Sequence, residues 1–322
     1  MRITPASRGA EIWTDARSAK TTPITSFPAR TLHRVQIRSW LTHPCQSFDR
    51  ATCAQGAPDG QPDYTYAPMA EAERKYHVGL AASEVGEYVL YPGDPFRTPL
   101  IATYLADARE MAFSREYRSF TGTLDGAKVT AISSGVGGPS AAIGIEELGE
   151  LGAHTFLRVG TCGAAQPEVK MGDLVIATGS VRTEGTPNAY VPLEYPAIAS
   201  LDVVVAAREA AEAAGAPFHL GVIRSVDALY SDLLPDRMPM REHLKQELEV
   251  WARAGVVAND MESASVLVVS SLRKYRAGVI LLCVDELGAG EIHHLDPGYM
   301  DRMLMVAIDA IRRLIRRDRE AP

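Results

Sequence analysis

Hydrophobic and polar positions alternate along most of the chain in a way that predicts alternating strands and helices. Short apolar runs predict buried strands, whereas longer segments with apolar residues every three or four positions predict amphipathic helices. The strand-like runs are residues 87–91, 128–133, 155–159, 174–178, 221–225, 256–258 and 277–284. The helix-like segments are residues 99–108, 140–151, 241–253, 261–275 and a final helix whose apolar positions run through 300–315. We therefore predict an α/β fold, a single three-layer domain with a central mixed, mostly parallel sheet flanked by helices.

The first 68 residues lack this pattern. They are rich in Pro, Ser, Thr, Ala and Arg, and residues 1–44 hold seven basic side chains against two acidic ones. A segment without apolar periodicity buries too little surface to offset the entropy of ordering it. We predict that residues 1–68 are a disordered or over-extended N-terminal arm, with an organelle transit segment as the weaker reading of its Arg-rich composition. Residues 69–322 are expected to form the folded domain.

Charge and composition exclude several classes of partner. The formal net charge of -7 disfavours a generic nucleic-acid binder, and no apolar run approaches the ~20 residues of a membrane span. The four cysteines form no C-x-x-C pair, and no Cys/His cluster has the spacing of a zinc site. We expect a cytoplasmic protein with reduced thiols that acts on small molecules, without a nucleic-acid partner, a membrane partner or an organic cofactor.

Three glycine-containing segments follow predicted strands, at residues 93–97, 135–140 and 158–163. Open α/β sheets bind ligands at the carboxyl edge of their strands, which is where these segments are expected to lie. Glycines let backbone N–H groups approach an anion, and the forked guanidinium groups of Arg97 and Arg158 match phosphate. Each segment alone is more often a tight connection, and neither a P-loop nor a G-x-G-x-x-G pattern is present. Together they favour a cradle for free phosphate over a nucleotide site.

A fourth feature is the carboxylate of Glu262, at a predicted strand-to-helix junction spanning residues 259–263. A carboxylate at such a junction can accept two hydroxyl groups from one sugar. Alternatively, Glu262 occupies the first turn of a helix, where the helix dipole favours an acid. Position alone does not separate these interpretations.

Six motifs, taken in order, resemble the uridine phosphorylases of the hexameric nucleoside phosphorylase family, at residues 76–80, 93–97, 114–117, 135–140, 158–163 and 260–264. The resemblance runs from about residue 76 to 316, and the ordered set is specific although no single motif is. It implies a nucleoside phosphorylase-like fold and phosphorolysis of uridine or a modified uridine to the free base and (deoxy)ribose 1-phosphate. Inorganic phosphate is then the co-substrate. A purine nucleoside phosphorylase of the same family and a non-catalytic nucleoside-binding relative are the alternatives.

The resemblance also implies roles for particular residues. It assigns phosphate binding to Gly93, Arg97, Arg115, Arg158 and Thr161. It assigns ribose binding to His77, Met261 and Glu262. It assigns a monovalent cation, such as potassium, to Glu116, the Val136 carbonyl and Ser140. Because it implies that Arg115 and His77 come from a neighbouring subunit, the protein is expected to be at least a dimer, and a homohexamer by family.

The loop expected to read the base departs from the family's pattern. Uridine phosphorylases read the uracil edge with a Gln and an Arg that follow a Phe-Tyr pair. Here Leu229 takes the place of the Phe, Leu233 that of the Gln and Pro235 that of the Arg. Either Arg237 or Arg224 could supply a guanidinium from another direction. Each unpaired polar contact in a buried pocket costs ~1–3 kcal/mol, so other groups must replace the lost ones or the substrate differs.

Two acids also bear on which base the protein takes. Asp285 and Glu286 end the last predicted strand, near the position where purine-cleaving relatives carry an Asp that protonates the purine. The alternatives are an acid that simply faces solvent and an acid that meets an amine on a 5′-modified sugar. A further departure is Asp260, which stands where the family usually has Glu.

Overall fold

A ten-stranded mixed sheet forms the centre of the protein, seen here in a computed structural model that describes residues 74–286 and 296–320. The strands are β1 Tyr88–Tyr91, β2 Ala106–Ser114, β3 Tyr117–Leu124, β4 Ala127–Ile132, β5 Thr155–Ala164, β6 Leu174–Arg182, β7 Ala197–Ile198, β8 Phe218–Ser225, β9 Ala258–Asp260 and β10 Arg276–Asp285. The helices are α1 Thr98–Ala102, α2 Gly138–Glu150, α3 Thr186–Tyr190, α4 Leu201–Ala213, α5 Leu229–Leu233, α6 Arg241–Arg253, α7 Ser263–Leu272 and α8 Pro297–Glu320. Short 3-10 segments occupy Ala82–Glu84 and Pro235–Arg237. The boundary predicted at residue 68 lies outside the described residues.

The sheet follows the order β10-β6-β8-β9-β5-β1-β4-β3-β2, with β7 paired to β6. Because β10 also pairs with β5, the strands β10, β6, β8, β9 and β5 close into a small barrel. The predicted mixed sheet is confirmed, but "mostly parallel" is wrong. Among the described strands, five pairings are parallel and five are antiparallel. Two-residue connections join β2 to β3 and β3 to β4, and connections that short can only join antiparallel strands.

Helices cover both faces of the sheet, as predicted. Helices α2 and α7 pack over one face, and α4 and α8 pack over the other. Side chains along each strand alternate between these layers: Phe156 of β5 lies in the core beneath α2 and α7, and Leu157 lies in the opposite core. The same alternation directs the next residue, Arg158, toward the layer of α2 and α7. There Arg158 contacts Glu262, the N-cap residue of α7, and Glu262 in turn accepts a hydrogen bond from the N-cap residue of α2, Gly137.

Several element predictions need correction. The helix predicted at 99–108 ends at Ala102, and β2 begins at Ala106. Strands β2 and β3 and helix α4 have no counterpart in the sequence prediction. The loop predicted at 227–240 contains α5 and a 3-10 segment, whereas α6 has the predicted bounds.

The third glycine segment, residues 158–163, is strand rather than turn. Strand β5 continues through it to Ala164, because β10 pairs with it in parallel and β9 pairs with its end. In this context Gly160 provides space instead of a bend. A Cβ at Gly160 would lie 2.9 Å from Cζ of Arg158. The glycine therefore lets the Arg158 side chain lie against its own strand.

Candidate active site

The first two glycine segments lie side by side because β1 and β4, which precede them, pair in parallel. A Cβ at Gly93 would lie 3.2 Å from the carbonyl oxygen of Gly135, so the two backbones are nearly in contact. Gly135 and Gly137 have φ angles of +69° and +94°, in the region that favours glycine. Gly137 is the N-cap of α2, and its N–H donates to Glu262; in the first turn that follows, Gly138 and Ser140 have N–H groups without a partner inside the helix, whereas Pro139 has none.

Arg158 lies at the centre of this edge and is only 3% exposed. Its Nε donates a hydrogen bond of 2.9 Å to Oδ2 of Asp260, and its Nη2 donates to Oε2 of Glu262. Burial lowers the pKa of Arg158, but the charges of Glu262 and Asp260 outweigh it, and the net shift is upward. The guanidinium is therefore held as a cation in the interior.

A second guanidinium converges on the same place. Burial and the nearby charge of Arg158 lower the pKa of Arg97, while Asp94 and Glu262 oppose the shift. Within the described residues, Nε of Arg97 and Nη1 of Arg158 are buried and have no hydrogen-bond partner. An unsatisfied buried donor costs about 1–3 kcal/mol, so an anion that accepts both hydrogen bonds would be stabilised here.

Glu262 connects the arginines to the glycine segments. It is the N-cap residue of α7 and is 5% exposed, and its Oε1 accepts a hydrogen bond of 2.6 Å from the backbone N of Gly137. Its side chain makes no capping bond to its own helix, which favours the site interpretation over the helix-dipole one. Burial raises the pKa of Glu262, and the adjacent Arg158 opposes that shift. The carboxylate thus lies beside the proposed anion position, where it can also accept hydroxyl groups.

Asp260 holds Arg158 in orientation. Its Oδ2 accepts hydrogen bonds from Nε of Arg158, from the backbone N of Ser263 at 3.0 Å and from Oγ of Ser263 at 2.6 Å. Its Oδ1 accepts from Oγ of Ser225 at 2.7 Å. The sequence marked Asp260 only as a departure from the family, and Ser225 carried no signal. Their role comes from β8 and β9 pairing in parallel, which aligns Ser225 with Asp260.

A cavity of about 430 Å³ opens beside Asp260 and Met261, between the end of β5 and helices α5 and α6. Four residues predicted for the base pocket line it: Leu229, Leu233, Asp285 and Glu286. Its volume lies in the range of small-molecule sites. Glu286 also accepts a hydrogen bond of 3.2 Å from the backbone N of Met171.

The arginines considered as replacements for the lost uracil contacts do not line this cavity. Arg237 is exposed and does not line the cavity, although the other two residues of its 3-10 segment, Pro235 and Asp236, do. Arg224 is buried behind the wall and pairs with Asp232 instead. The prediction that Arg237 belongs to the base pocket is therefore not supported by its position.

The turn between β2 and β3 carries Arg115 and Glu116. Arg115 is exposed and has a φ of +54°, an uncommon conformation for a residue other than glycine. Its guanidinium lies over the ring of Tyr76, 5.3 Å from the centroid. Oε1 of Glu116 accepts a hydrogen bond of 2.8 Å from Oγ of Ser140, while Val136 is exposed in the second glycine segment. The structure thus brings together two of the three residues assigned to a monovalent cation.

His77 and Thr161 complete the predicted set. Nδ1 of His77 lies 2.5 Å from Oε1 of Glu147 on α2, which fixes the imidazole at the surface. Thr161 is half-buried on β5 and pairs with Leu282 of β10. In the described part of the chain, neither His77 nor Arg115 hydrogen-bonds or ion-pairs with Arg158.

Within residues 74–286 and 296–320, no helix is long and apolar enough to cross a membrane. The same residues contain no group of three or more His, Cys, Asp or Glu side chains placed to hold a metal ion.

Glu184 is a buried carboxyl group behind the site. It is 1% exposed, its Oε1 accepts a hydrogen bond of 3.3 Å from Oγ of Ser265, and its Oε2 is buried with no hydrogen-bond partner in the described residues. Burial raises the pKa of Glu184 from 4.5 to about 7. The folded state therefore keeps this proton to higher pH than the unfolded state does, and stability falls as pH rises from about 4.5 to 7.

We expect Glu184→Gln to stabilise the protein by roughly 2 kcal/mol above pH ~7 and much less near pH ~5, because it removes the cost of a buried charge. Thermal unfolding of the two proteins at both pH values measures the difference. An equal gain in Tm at both pH values would contradict this account of Glu184.

Comparisons with known proteins show which family the chain belongs to. The chain matches the family model described as "Phosphorylase superfamily" over residues 87–317, well over half its length. The protein belongs to the phosphorylase superfamily, and the family resemblance seen in the six motifs is confirmed.

Individual relatives show which members of the superfamily the chain is similar to. The chain is 40% identical to the uridine phosphorylase of Treponema pallidum (strain Nichols) over 246 residues, which cover 76% of this chain and 95% of the relative. It is 42% identical to the uridine phosphorylase of Thermococcus kodakarensis over 217 residues, 66% of this chain and 78% of the relative. It is also 36% identical to the guanosine phosphorylase of Halorubrum lacusprofundi over 240 residues, 74% and 94% of the two chains.

Proposed function

We propose that this protein is a pentosyltransferase that cleaves a nucleoside with inorganic phosphate, with uridine or a modified uridine as the favoured substrate. The observation that carries the proposal is that two buried guanidinium donors, Nε of Arg97 and Nη1 of Arg158, have no hydrogen-bond partner among the described residues and belong to cations close enough for the charge of one to act on the other. The uridine phosphorylases among its relatives support the choice of nucleoside. No organic cofactor is required for this chemistry.

The reaction breaks the bond between the base nitrogen and C1′ of the ribose and forms a bond from C1′ to a phosphate oxygen. The electron pair of the broken bond leaves with the base, and positive charge develops on the ribose ring in the transition state. A phosphate held beneath C1′ stabilises that charge and then attacks. Arg97 and Arg158 would fix the phosphate in line, so that positioning and electrostatics supply most of the rate enhancement. Backbone N–H groups near Gly93 and the hydroxyl of Thr161 are the further donors that we assign to phosphate.

The ribose would lie between the phosphate and the cavity. Glu262 is placed to accept its hydroxyl groups, and Met261 lines the cavity beside it. The base would then occupy the cavity that Leu229 and Leu233 border. With phosphate, ribose and base arranged in this order, C1′ would lie at the boundary between the buried arginines and the cavity.

The charge balance of one chain supports a shared site. Arg97 and Arg158 are matched by Asp260 and Glu262, so these four residues are formally neutral. A phosphate carries between one and two negative charges at neutral pH, and an extra cation would favour its binding. We assign that cation to Arg115 of a neighbouring subunit, together with His77 for the ribose. The protein is then at least a dimer, and a homohexamer by analogy with its family.

Two further assignments complete the proposal. The oxygens of Glu116 and Ser140 lie together, and with the carbonyl of Val136 they would make an all-oxygen set suited to a monovalent cation such as potassium. This cation would support the subunit contact rather than the reaction itself. The cytoplasm is the expected location of the enzyme.

A purine nucleoside is the second candidate substrate. Asp285 and Glu286 both line the cavity, and an acid there can donate a proton to a departing purine. The similarity to a guanosine phosphorylase points the same way. Among the described residues no arginine lines the cavity, so the arginine donor that the family's pattern supplies to uracil has no counterpart there.

The direct test is the release of free base from uridine, guanosine and inosine, each with and without phosphate. We expect cleavage only when phosphate is present, with ribose 1-phosphate as the second product and the highest kcat/KM for uridine. A higher kcat/KM for guanosine would select the purine alternative. Binding without turnover would identify a non-catalytic relative, and cleavage that is independent of phosphate would exclude a phosphorylase.

A further inference from the structure

A buried arginine connects both helical walls of the base cavity without lining the cavity itself. Arg224 lies on β8 and is 4% exposed. Its Nη1 donates a hydrogen bond of 2.5 Å to Oδ2 of Asp232 on α5, and its Nη2 lies 3.4 Å from Oε1 of Glu247 on α6. Asp232 lines the cavity, and Glu247 accepts a hydrogen bond of 3.3 Å from Nε1 of Trp251, which also lines it.

We propose that Arg224 is a positioning residue that anchors α5 and α6 to the sheet through Asp232 and Glu247 and thereby sets the affinity of the cavity for its ligand. The identity of that ligand, the base of a nucleoside, rests on the function proposed above. The anchoring itself rests only on the contacts within the chain. Arg224 acts through its two carboxylate partners, which are on different helices.

The two helices need such an anchor because apolar packing holds them weakly. No residue of α5 or α6 is fully buried. The inward face of α6 is half-buried at best, including Leu248 and Trp251, which face the cavity. Segments with few buried apolar contacts open locally at low free-energy cost. The ion pairs from Arg224 on the sheet to both helices therefore contribute more to the shape of the cavity than they would if the helices were packed in a core.

The environment of these ion pairs makes their loss costly. Burial raises the pKa of Asp232, and the adjacent Arg224 opposes that shift. Without Arg224, the half-buried carboxylate of Asp232 would have to take up a proton or move toward water, and α5 would move with it. Leu229 and Leu233 belong to the same helix, so the apolar wall of the cavity would move as well.

Loss of Arg224 is expected to weaken the binding of only one of the two substrates. The residues assigned to phosphate follow β1, lie on β5 or, for Arg115, lie in the turn between β2 and β3. The Arg224 side chain contacts none of them by hydrogen bond or ion pair within the described residues. Loosening α5 and α6 therefore weakens binding of the nucleoside and leaves binding of phosphate unchanged. A general defect in folding would instead affect both substrates.

The test compares Arg224→Met, which keeps the aliphatic stem and removes the charge, with the wild-type enzyme. We expect the KM for the nucleoside to rise about tenfold, and the KM for phosphate to stay within about twofold. Asp232→Asn, which removes one charge of the pair at nearly constant size, should give a smaller change in the same direction. Arg208→Met is the matched control, because Arg208 pairs with Glu212 at 3.6 Å on the exposed side of α4. The control should change neither KM.

Hydrogen exchange measured on the same proteins separates this inference from the proposed function. We expect amides of residues 228–253 to exchange faster in Arg224→Met, with no change in α2 or α7. Unchanged exchange in residues 228–253 would overturn the anchoring role even if no nucleoside is cleaved by the wild-type protein. Equal increases in both KM values would overturn the selective role in nucleoside affinity. If Arg224→Met does not fold, Asp232→Asn carries both measurements.

Discussion

Arg158→Lys is expected to lower kcat/KM for phosphorolysis about a thousandfold while leaving the protein folded. A lysine keeps one positive charge near Asp260 and Glu262 but has a single nitrogen where the guanidinium has three. Its three N–H bonds all leave one atom, so they cannot reach both carboxylates and the phosphate from the three separate positions of the guanidinium nitrogens. In the structure, the three guanidinium nitrogens of Arg158 are used differently. Nε and Nη2 donate to the carboxylates, and Nη1 has no partner in the described residues.

Arg158→Ala should add a second effect, a loss of stability of about 3–5 kcal/mol, because it leaves two buried carboxylates without their cation. The difference between the two variants separates the catalytic role of Arg158 from its structural role. Steady-state kinetics with varied phosphate and thermal unfolding are the measurements, and Arg208→Lys on the surface is the control. Near wild-type turnover by Arg158→Lys would contradict the assignment of Arg158 to phosphate.

Arg115→Ala is the variant with the second-largest expected effect, a loss of about a hundredfold in kcat/KM with little change in Tm. Arg115 lies at an exposed turn and contacts only Tyr76 among the described side chains, so its removal should leave the chain's own fold intact. The loss of activity would come from a neighbouring subunit's site, where the phosphate would lack its third arginine.

Mixing two inactive variants tests the shared site. In a mixed dimer of Arg115→Ala and Arg158→Lys, one site has both lesions and the other has none. Random mixing in equal amounts should therefore restore about a quarter of wild-type activity, since half the dimers are mixed and each has one intact site. The subunits must be dissociated and reassembled together, and variants reassembled separately are the control. If the mixture stays inactive, both arginines serve the site of their own chain.

Some elements were predictable because their signals are local. Helix α6 has its predicted bounds, since its amphipathic pattern lies within thirteen consecutive residues. The buried run of β10 was also visible, because a strand covered on both faces is apolar throughout. Two missed elements had signals as well. The Asp125-Gly126 pair, with φ angles of +47° and +80°, forms the tight turn between β3 and β4, and the alanines of α4 favour a helix.

Other features had no local signal. Residues 158–163 contain two glycines and suggested a turn, yet they remain strand because β10 and β9 supply hydrogen-bonding partners. Those partners lie about a hundred residues further along the chain, and no short window of sequence contains them. The equal division between parallel and antiparallel pairings among the described strands has the same origin, because closing the barrel depends on which strands meet.

The sequence by itself determined the family, the α/β class and the identity of most candidate site residues, because ordered motifs and apolar periodicity are written in consecutive residues. Only the tertiary structure decided how the side chains are used. It paired Arg158 with Asp260 and Glu262, left Nε of Arg97 and Nη1 of Arg158 without a partner among the described residues, kept Arg237 out of the cavity lining and placed Arg224 behind the cavity wall. These outcomes depend on distances between residues far apart in the chain, and folding alone fixes those distances.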